Sequence, residues 1–291
     1  MKQGDFVVRK SYGGDVLFRI DAFLKDIAIL KGTDYRLLAD APFSDLKAVP
    51  DPETAGISRQ VRIKENESLR RMRRAQEQMT GASDRVGVTL VQPYFELPGR
   101  VLHLDGDGVY MKKSMQVYAQ MRVPAHGMHV HESRMAEVLY RLLPQLRPDI
   151  VVITGHDGVL KSRPRSEYHL LSSYKNSQHF VNAVQVARDY DRSRDGLVVV
   201  AGACQSHFEA LLQAGANFAS SPGRILIHAL DPVYLAVKAS FTPFRDTVNL
   251  EGAIGGTISG ADGVGGIETF GRYRIGLPKP KTTEGIVPQI G

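Results

Sequence analysis

Leu197 Val198 Val199 Val200 Ala201, followed at once by Gly202 Ala203 Cys204 Gln205 Ser206 His207, is the stretch on which the reading of this chain turns. Five consecutive apolar residues, three of them β-branched, have the length of a strand and no polar face, so both faces are expected to be covered. That is the pattern of a parallel strand in an α/β sheet. A second run, Ile150 Val151 Val152 Ile153, breaks in the same way at Thr154 Gly155 His156 Asp157 Gly158. A thiol and an imidazole therefore each follow the end of a buried strand.

Working outward, the segments between such runs read as helices. Met135, Val138, Leu139, Leu142, Leu143 and Leu146 fall on one helical face, and Phe180, Val184 and Ala187 mark a second helix over Ser177 to Tyr190. Arg100 to Leu104 is expected as a strand ending at Asp105 Gly106 Asp107 Gly108, with a helix over Val109 to Met121 and a weaker strand over Val123 to Val130. Further along, a helix over Gln205 to Ala214, a short strand over Ala216 to Ala219, an apolar run Ile225 to Leu230 and a helix over Pro232 to Ser240 are expected. A Gly-rich flexible tract (Gly252 to Gly265) and a late strand over Gly266 to Gly276 complete the chain. Strands joined by helices run parallel through right-handed crossovers, which puts their C-terminal ends, and function, on one edge.

The first 50 residues differ. Phe6 to Val8, Val16 to Ile20, Ile27 to Leu30 and Tyr35 to Leu38 are short apolar runs separated by turn formers, the pattern of a small SH3-like β-barrel or a hairpin arm. Pro50 Asp51 Pro52 ends that unit. The expected domains are thus a β-barrel over 1–50, a basic helical linker over 51–83 and an α/β domain over 84–291.

Composition narrows the class. With 43% apolar and 23% charged residues the chain is globular, and no run approaches the roughly 20 apolar residues that cross a bilayer. Membrane insertion is not expected. Met1 to Val8 carries charge where a signal peptide needs an apolar core, and one cysteine provides no disulfide framework; both fit a cytoplasmic protein. The net charge of +6 permits an acidic partner without requiring nucleic acid, and much of it is concentrated in Arg59, Arg62, Lys64, Arg70, Arg71, Arg73 and Arg74.

A cysteine nucleophile requires an acid/base partner within reach, and neighbouring parallel strands about 4.8 Å apart can bring His156 and Cys204 together over the sheet edge. The unpaired N–H groups of a helix starting at Gln205 would favour a thiolate, which an ordinary thiol with a pKa of about 8.5 forms only slightly at neutral pH. Gly155, Gly158, Gly202 and Ala203 clear space for a substrate backbone and leave N–H groups for an oxyanion. For each residue alone the plainer reading stands beside this one: a buried cysteine is commonly a small hydrophobe, and a strand-end histidine commonly packs.

The two strand-end motifs resemble those of the caspase, legumain, gingipain and clostripain group of cysteine peptidases. Longer segments resemble the YabG family of sporulation-specific proteases: Asp15 Val16 Leu17 Phe18 Arg19 Ile20, Pro98 Gly99 Arg100 through Asp107, Arg147 Pro148 Asp149 Ile150 with Thr154 Gly155 His156 Asp157, Ala201 to Glu209, Ala214 to Pro222, and His228 to Tyr234. That resemblance implies a caspase-like parallel sheet with a mixed edge, flanked by helices. It also implies a cysteine endopeptidase that processes spore-coat and other spore precursor proteins after arginine, in the sporulating cell and the spore coat. Cys204 would be the nucleophile, His156 its partner, and the backbone at Gly155 and Cys204 the oxyanion site. The acid that clostripain-like enzymes carry two residues before the cysteine is Gly202 here, so Asp105, Asp107 and Asp231 are the candidates to receive the guanidinium. Turn or capping roles compete for each of the three.

Self-cleavage is expected after arginines of the linker, Arg59 to Arg74, or of the loop holding Arg163 and Arg165. His126, His129, His131 and Glu132 form a cluster without the ligand pattern of a metal site, and Asp105 to Gly108 lacks the full calcium or phosphate loop, so no metal and no cofactor is expected. Two rival functions remain: a non-enzymatic spore-assembly or nucleic-acid-binding protein, and a thiol amidohydrolase acting on a small substrate.

Overall fold

In the computed structural model, residues 1–50, 63–74, 77 and 94–278 are described. The N-terminal unit contains β1 (Phe6–Arg9), β2 (Leu17–Leu24), β3 (Ile27–Gly32), β4 (Leu38–Pro42) and β5 (Leu46–Ala48), an antiparallel sheet in the order β4-β3-β2-β1-β5. Val7, Phe18, Ile20, Ala28, Leu30 and Leu46 fill its core. Among the described residues no ladder joins β4 to β5, so the ladders themselves form an open sheet. Tyr35 to Leu37, expected within a strand, leaves the sheet instead. Isolated bridges pair Tyr35 with His228 and Leu37 with Asp157, so the backbone of this segment finds its partners in the larger domain.

Most of the expected linker lies outside the described residues. Its described part is a helix, α1, over 63–74 and 77. Leu69 and Met72 pack on the core of the larger domain, Ser68 Oγ donates to the Gly256 carbonyl at 2.6 Å, and Glu65 lies 3.1 Å from His228 Nε2. The basic helix is thus docked along one side while Arg70, Arg71, Arg73 and Arg74 remain exposed.

The larger domain follows the order β6 (Phe95–Leu97), β7 (Val101–Asp105), α2 (Gly108–Gln120), β8 (Ala125–His129), α3 (Met135–Leu146), β9 (Ile150–Thr154), α4 (Ser177–Tyr190), β10 (Val198–Ala201), α5 (Phe208–Ala214), β11 (Phe218–Ser220), α6 (Asp231–Phe241), α7 (Leu250–Gly255), α8 (Gly260–Gly263), β12 (Val264–Gly266) and β13 (Arg274–Gly276). The central sheet has the order β12-β11-β10-β9-β7-β8; five strands are parallel and β12 is antiparallel at one edge. Alternation explains the continuous apolar runs. Ile150, Val152, Val198 and Val200 face a layer that includes Tyr118, Val233 and Val237, while Val151, Ile153, Val199 and Ala201 face Leu139, Leu143, Phe180 and Val184. Each such fully buried side chain contributes about 1.5–3 kcal/mol.

Two sequence expectations are corrected. The Gly-rich tract is mostly helical: Asn249 caps α7 by accepting from Gly252 N–H, and α8 follows within a few residues. The single late strand is two short ones in different sheets, because β12 pairs with β11 while β13 pairs with β6. Between them Val248 N–H donates to Thr269 O at 2.8 Å, tying the chain down where it crosses from one sheet to the other.

Candidate active site

Registers place His156 and Cys204 at the same edge. Ala201 pairs with Ile153 across adjacent strands, and Cys204 and His156 each follow their member of this pair by three positions. Both side chains are fully buried. The Cys204 sulfur accepts from Ile227 N–H at 3.2 Å and faces the Ile227 carbonyl at 3.5 Å; burial pushes its pKa up, so the resting group is a thiol. His156 stacks on Tyr110 with ring centroids 5.3 Å apart, and among the described residues neither ring nitrogen has a hydrogen-bond partner. Burial pulls its pKa down to about 4 against the opposing pull of Asp107, so the imidazole is neutral.

The expected helix at Gln205 begins later. His207 caps α5, with Nδ1 accepting from Ala210 N–H, and the first helical residue is Phe208. Cys204 therefore lies in the turn before the helix, not at its N-terminal N–H groups. Gly202, at φ 114°, makes this turn; a Cβ there would lie 3.0 Å from Leu211 Cδ1.

The amide of Cys204 has another acceptor. Cys204 N–H at 3.3 Å and Asp157 N–H at 3.2 Å both point to the backbone carbonyl oxygen of Arg36. The Arg36 side chain is fully buried. Its Nη1 forms an ion pair with Asp105 Oδ2 at 2.8 Å, Nε donates to the Ala229 carbonyl at 2.9 Å, and the guanidinium lies 5.0 Å from the centre of the Tyr110 ring. Asp105 is held in turn: it accepts from Asp107 N–H at 2.8 Å and Thr154 Oγ1 at 3.0 Å, and Thr154 continues through His103 Nε2 at 2.7 Å to Tyr118. Tyr110, touching both His156 and Arg36, is fixed through its hydroxyl by the carbonyls of Gly32 and Tyr35.

The other candidates occupy different places. Asp107 caps α2, pairs with Arg19 at 3.1 Å and lies 3.9 Å from His156 Nε2. Asp231 accepts from Ile258 and Ser259 N–H, which engages its carboxylate in holding that loop. Gly155 packs against Glu132, whose Oε1 accepts from His156 N–H at 2.9 Å. The second N–H aimed at the Arg36 carbonyl belongs to Asp157, a residue whose carboxylate also organises the loops. It accepts from Gly158 and Asn176 N–H, both at 2.8 Å, and from Ser177 and Ser206 hydroxyls; burial nevertheless raises its pKa to about 6.

The histidine cluster disperses: β8 ends at His129, and His131 caps the turn at Glu132–Arg134. Among the described residues no group of three or more His, Cys, Asp or Glu is arranged to hold a metal ion. His207 turns from the sulfur, with Nε2 2.9 Å from the His169 carbonyl. Sequence reasoning passed over Arg36, Asp157 and Tyr110. The available signal for Arg36 was a charge enclosed in an apolar stretch, Tyr35 Arg36 Leu37 Leu38.

Comparison with known proteins gives the class: this chain is a peptidase. The model of the YabG peptidase U57 family matches residues 2–278, and the chain is 46% identical over 283 residues to the sporulation-specific protease YabG of Bacillus subtilis (strain 168), covering 94% of this chain and 97% of that protein. It belongs to the YabG family of sporulation proteases. A GDP-L-fucose synthetase from Naegleria fowleri aligns over 37% of this chain and 31% of its own at 10% identity and a TM-score of 0.23, too low to bear on the fold. Among the described residues no helix is long and apolar enough to cross a membrane.

Proposed function

We propose that the chain is a cysteine endopeptidase that cuts after arginine. Cys204 is the nucleophile, His156 delivers the proton to the leaving amine, and the N–H groups of Cys204 and Asp157 hold the oxyanion. Asp105 receives the guanidinium, Asp107 faces His156, and Asp231 supports the surrounding loop. One observation carries the reading: two backbone N–H groups, one of them from the residue that bears the sulfur, converge on the carbonyl oxygen of an arginine whose guanidinium meets a buried carboxylate. Preorganised donors of this kind stabilise charge as it develops on the carbonyl oxygen. A buried carboxylate selects arginine because the guanidinium stays charged at every working pH.

In the proposed cycle the Cys204 sulfur attacks the carbonyl carbon after arginine as its proton passes to His156, the C–N bond breaks as His156 hands that proton to the leaving amine, and water hydrolyses the thioester. Spore-coat and spore precursor proteins are the proposed substrates, and the N-terminal sheet and α1 are proposed as units distinct from the catalytic domain. The likeness of that domain to caspases and of the N-terminal sheet to an SH3 barrel belongs to the same proposal. The test is a set of peptides varied only at the residue before the cut, assayed with and without a thiol alkylator. Hydrolysis after arginine that the alkylator stops supports the reading; alkylator-insensitive hydrolysis, or equal cutting after leucine, rejects it.

A further inference from the structure

We infer that the Arg36–Leu37 peptide bond is this chain's own first cleavage site, and that until it is cut residues 34–38 block the cleft as an internal substrate. This rests on the peptidase reading above but goes beyond it, because the arginine that reveals the pocket is not a visitor.

The segment is held on both sides of the bond as an extended substrate would be. Before it, Ala229 N–H donates to the Asp34 carbonyl at 3.0 Å and Tyr35 bridges antiparallel to His228. At the bond, the Arg36 carbonyl oxygen takes both N–H groups, and the guanidinium pairs with Asp105 in full burial. After it, Leu37 bridges parallel to Asp157 and Leu38 N–H donates to the Asp157 carbonyl at 2.9 Å. Strand-like backbone pairing that carries affinity, with one side-chain pocket that carries selectivity, is a general mode of peptide capture. Gly158 admits it: a Cβ there would stand 2.5 Å from the Leu38 carbonyl oxygen.

A purely structural role explains the ion pair but not the whole arrangement. Replacing water by protein around an arginine needs a carboxylate, which Asp105 supplies. It does not need the carbonyl of that arginine to sit between the amide of the sole cysteine and the amide next to His156. The same segment accounts for the burial of the sulfur.

The chemistry balances with groups present. Cys204 sulfur bonds to the Arg36 carbonyl carbon as its proton passes to His156; the bond to Leu37 nitrogen breaks and that nitrogen takes the proton. Water then cleaves the thioester, leaving an Arg36 carboxyl group and a free thiol. The new Leu37 amine starts the processed chain. Of the linker arginines that sequence reading favoured, Arg59 and Arg62 lie outside the described residues, while Arg70, Arg71, Arg73 and Arg74 lie on α1, where the backbone is helical and not extended.

The test follows freshly purified full-length protein over time by intact mass and N-terminal sequencing, alongside turnover of an arginyl reporter peptide. Wild type should yield a fragment ending at Arg36 and a new terminus at Leu37, with reporter turnover rising after a lag that matches their appearance. Cys204→Ala should yield neither. Arg36→Gln leaves Asp105 buried without its partner and risks misfolding, so Leu37→Pro provides the second variant: it keeps the guanidinium, blocks the bond, and should lose both the Leu37 terminus and the rise in turnover. Reporter hydrolysis from the first minute with the 36–37 bond intact overturns this inference alone. An inert reporter and an intact chain overturn the peptidase reading with it, and a Leu37 terminus that persists in Cys204→Ala assigns the cut to another protease and overturns self-cleavage.

Discussion

The Cys204 amide nitrogen lies 3.3 Å from the carbonyl oxygen of Arg36, a residue 168 positions earlier in the chain. This contact joins the N-terminal unit to the edge of the central sheet at the one residue whose sulfur defines the candidate chemistry. Replacing that sulfur while leaving the amide isolates the two roles. Cys204→Ala should lower hydrolysis of an arginyl peptide by on the order of ten-thousand-fold or more. It should change unfolding stability by only about 1 kcal/mol, since a small apolar group replaces a small buried one. Turnover within tenfold of wild type would remove Cys204 from the mechanism.

The three aspartates differ in what they hold: Asp105 a guanidinium, Asp107 a helix start and Asp231 a loop. Asp105→Asn removes the charge opposite the guanidinium and should lower kcat/KM for arginyl peptides by about 100-fold, with a destabilisation of the intact chain of about 3–5 kcal/mol as Arg36 loses its buried partner. Asp231→Asn weakens the carboxylate's hold on Ile258 and Ser259 and should lower the melting temperature while leaving the preference for arginine unchanged. The assignment fails if the Asp231 variant loses that preference and the Asp105 variant keeps it.

Stability should depend on pH through His156. Its ordinary value is 6.5 and its folded value about 4, so the unfolded chain binds the proton first as pH falls. The stabilisation is full above about pH 6.5 and is lost progressively down to about 4, amounting to about 3 kcal/mol. His156→Gln should flatten this part of the curve in chemical denaturation at stepped pH. An unchanged slope would mean that other groups carry it.

Access to the sulfur should depend on Gly158. Wild-type Cys204 in the intact chain should react slowly with iodoacetamide because no part of it reaches solvent. A methyl group at 158 collides with the Leu38 carbonyl, and strain of about 1–3 kcal/mol displaces the covering segment more often. Gly158→Ala should therefore raise the labelling rate by about tenfold or more, read by mass; an equal rate would show that this segment does not gate the thiol.

The strands that carry His156 and Cys204 were legible because Ile150 to Ile153 and Leu197 to Ala201 are unbroken apolar runs, and only a sheet covered on both faces accommodates them. Helix α4 ends where its apolar face ends, at Tyr190. Local periodicity also supplied the common edge. It gave no access to Arg36, whose partners Asp105, Cys204 and Ala229 are 69, 168 and 193 residues away, and whose neighbours Tyr35, Leu37 and Leu38 imitate a strand. For the same reason Asp105, Asp107 and Asp231 read alike: each follows an apolar run and opens a turn, and only tertiary packing assigns one to a guanidinium, one to a helix cap and one to a loop. Helices α7 and α8 were missed because glycine lowers local helix propensity, whereas burial of Ala253 against the main core restores it.

The segment over the cleft and the cleft beneath it are parts of one covalent chain, so their encounter has no dependence on concentration. On the self-cleavage proposed above, release of the cleft is a first-order event timed from folding, with the same half-time in a dilute compartment as in a crowded one. Each molecule would then carry its own delay, and neither abundance nor an upstream enzyme would have to set it.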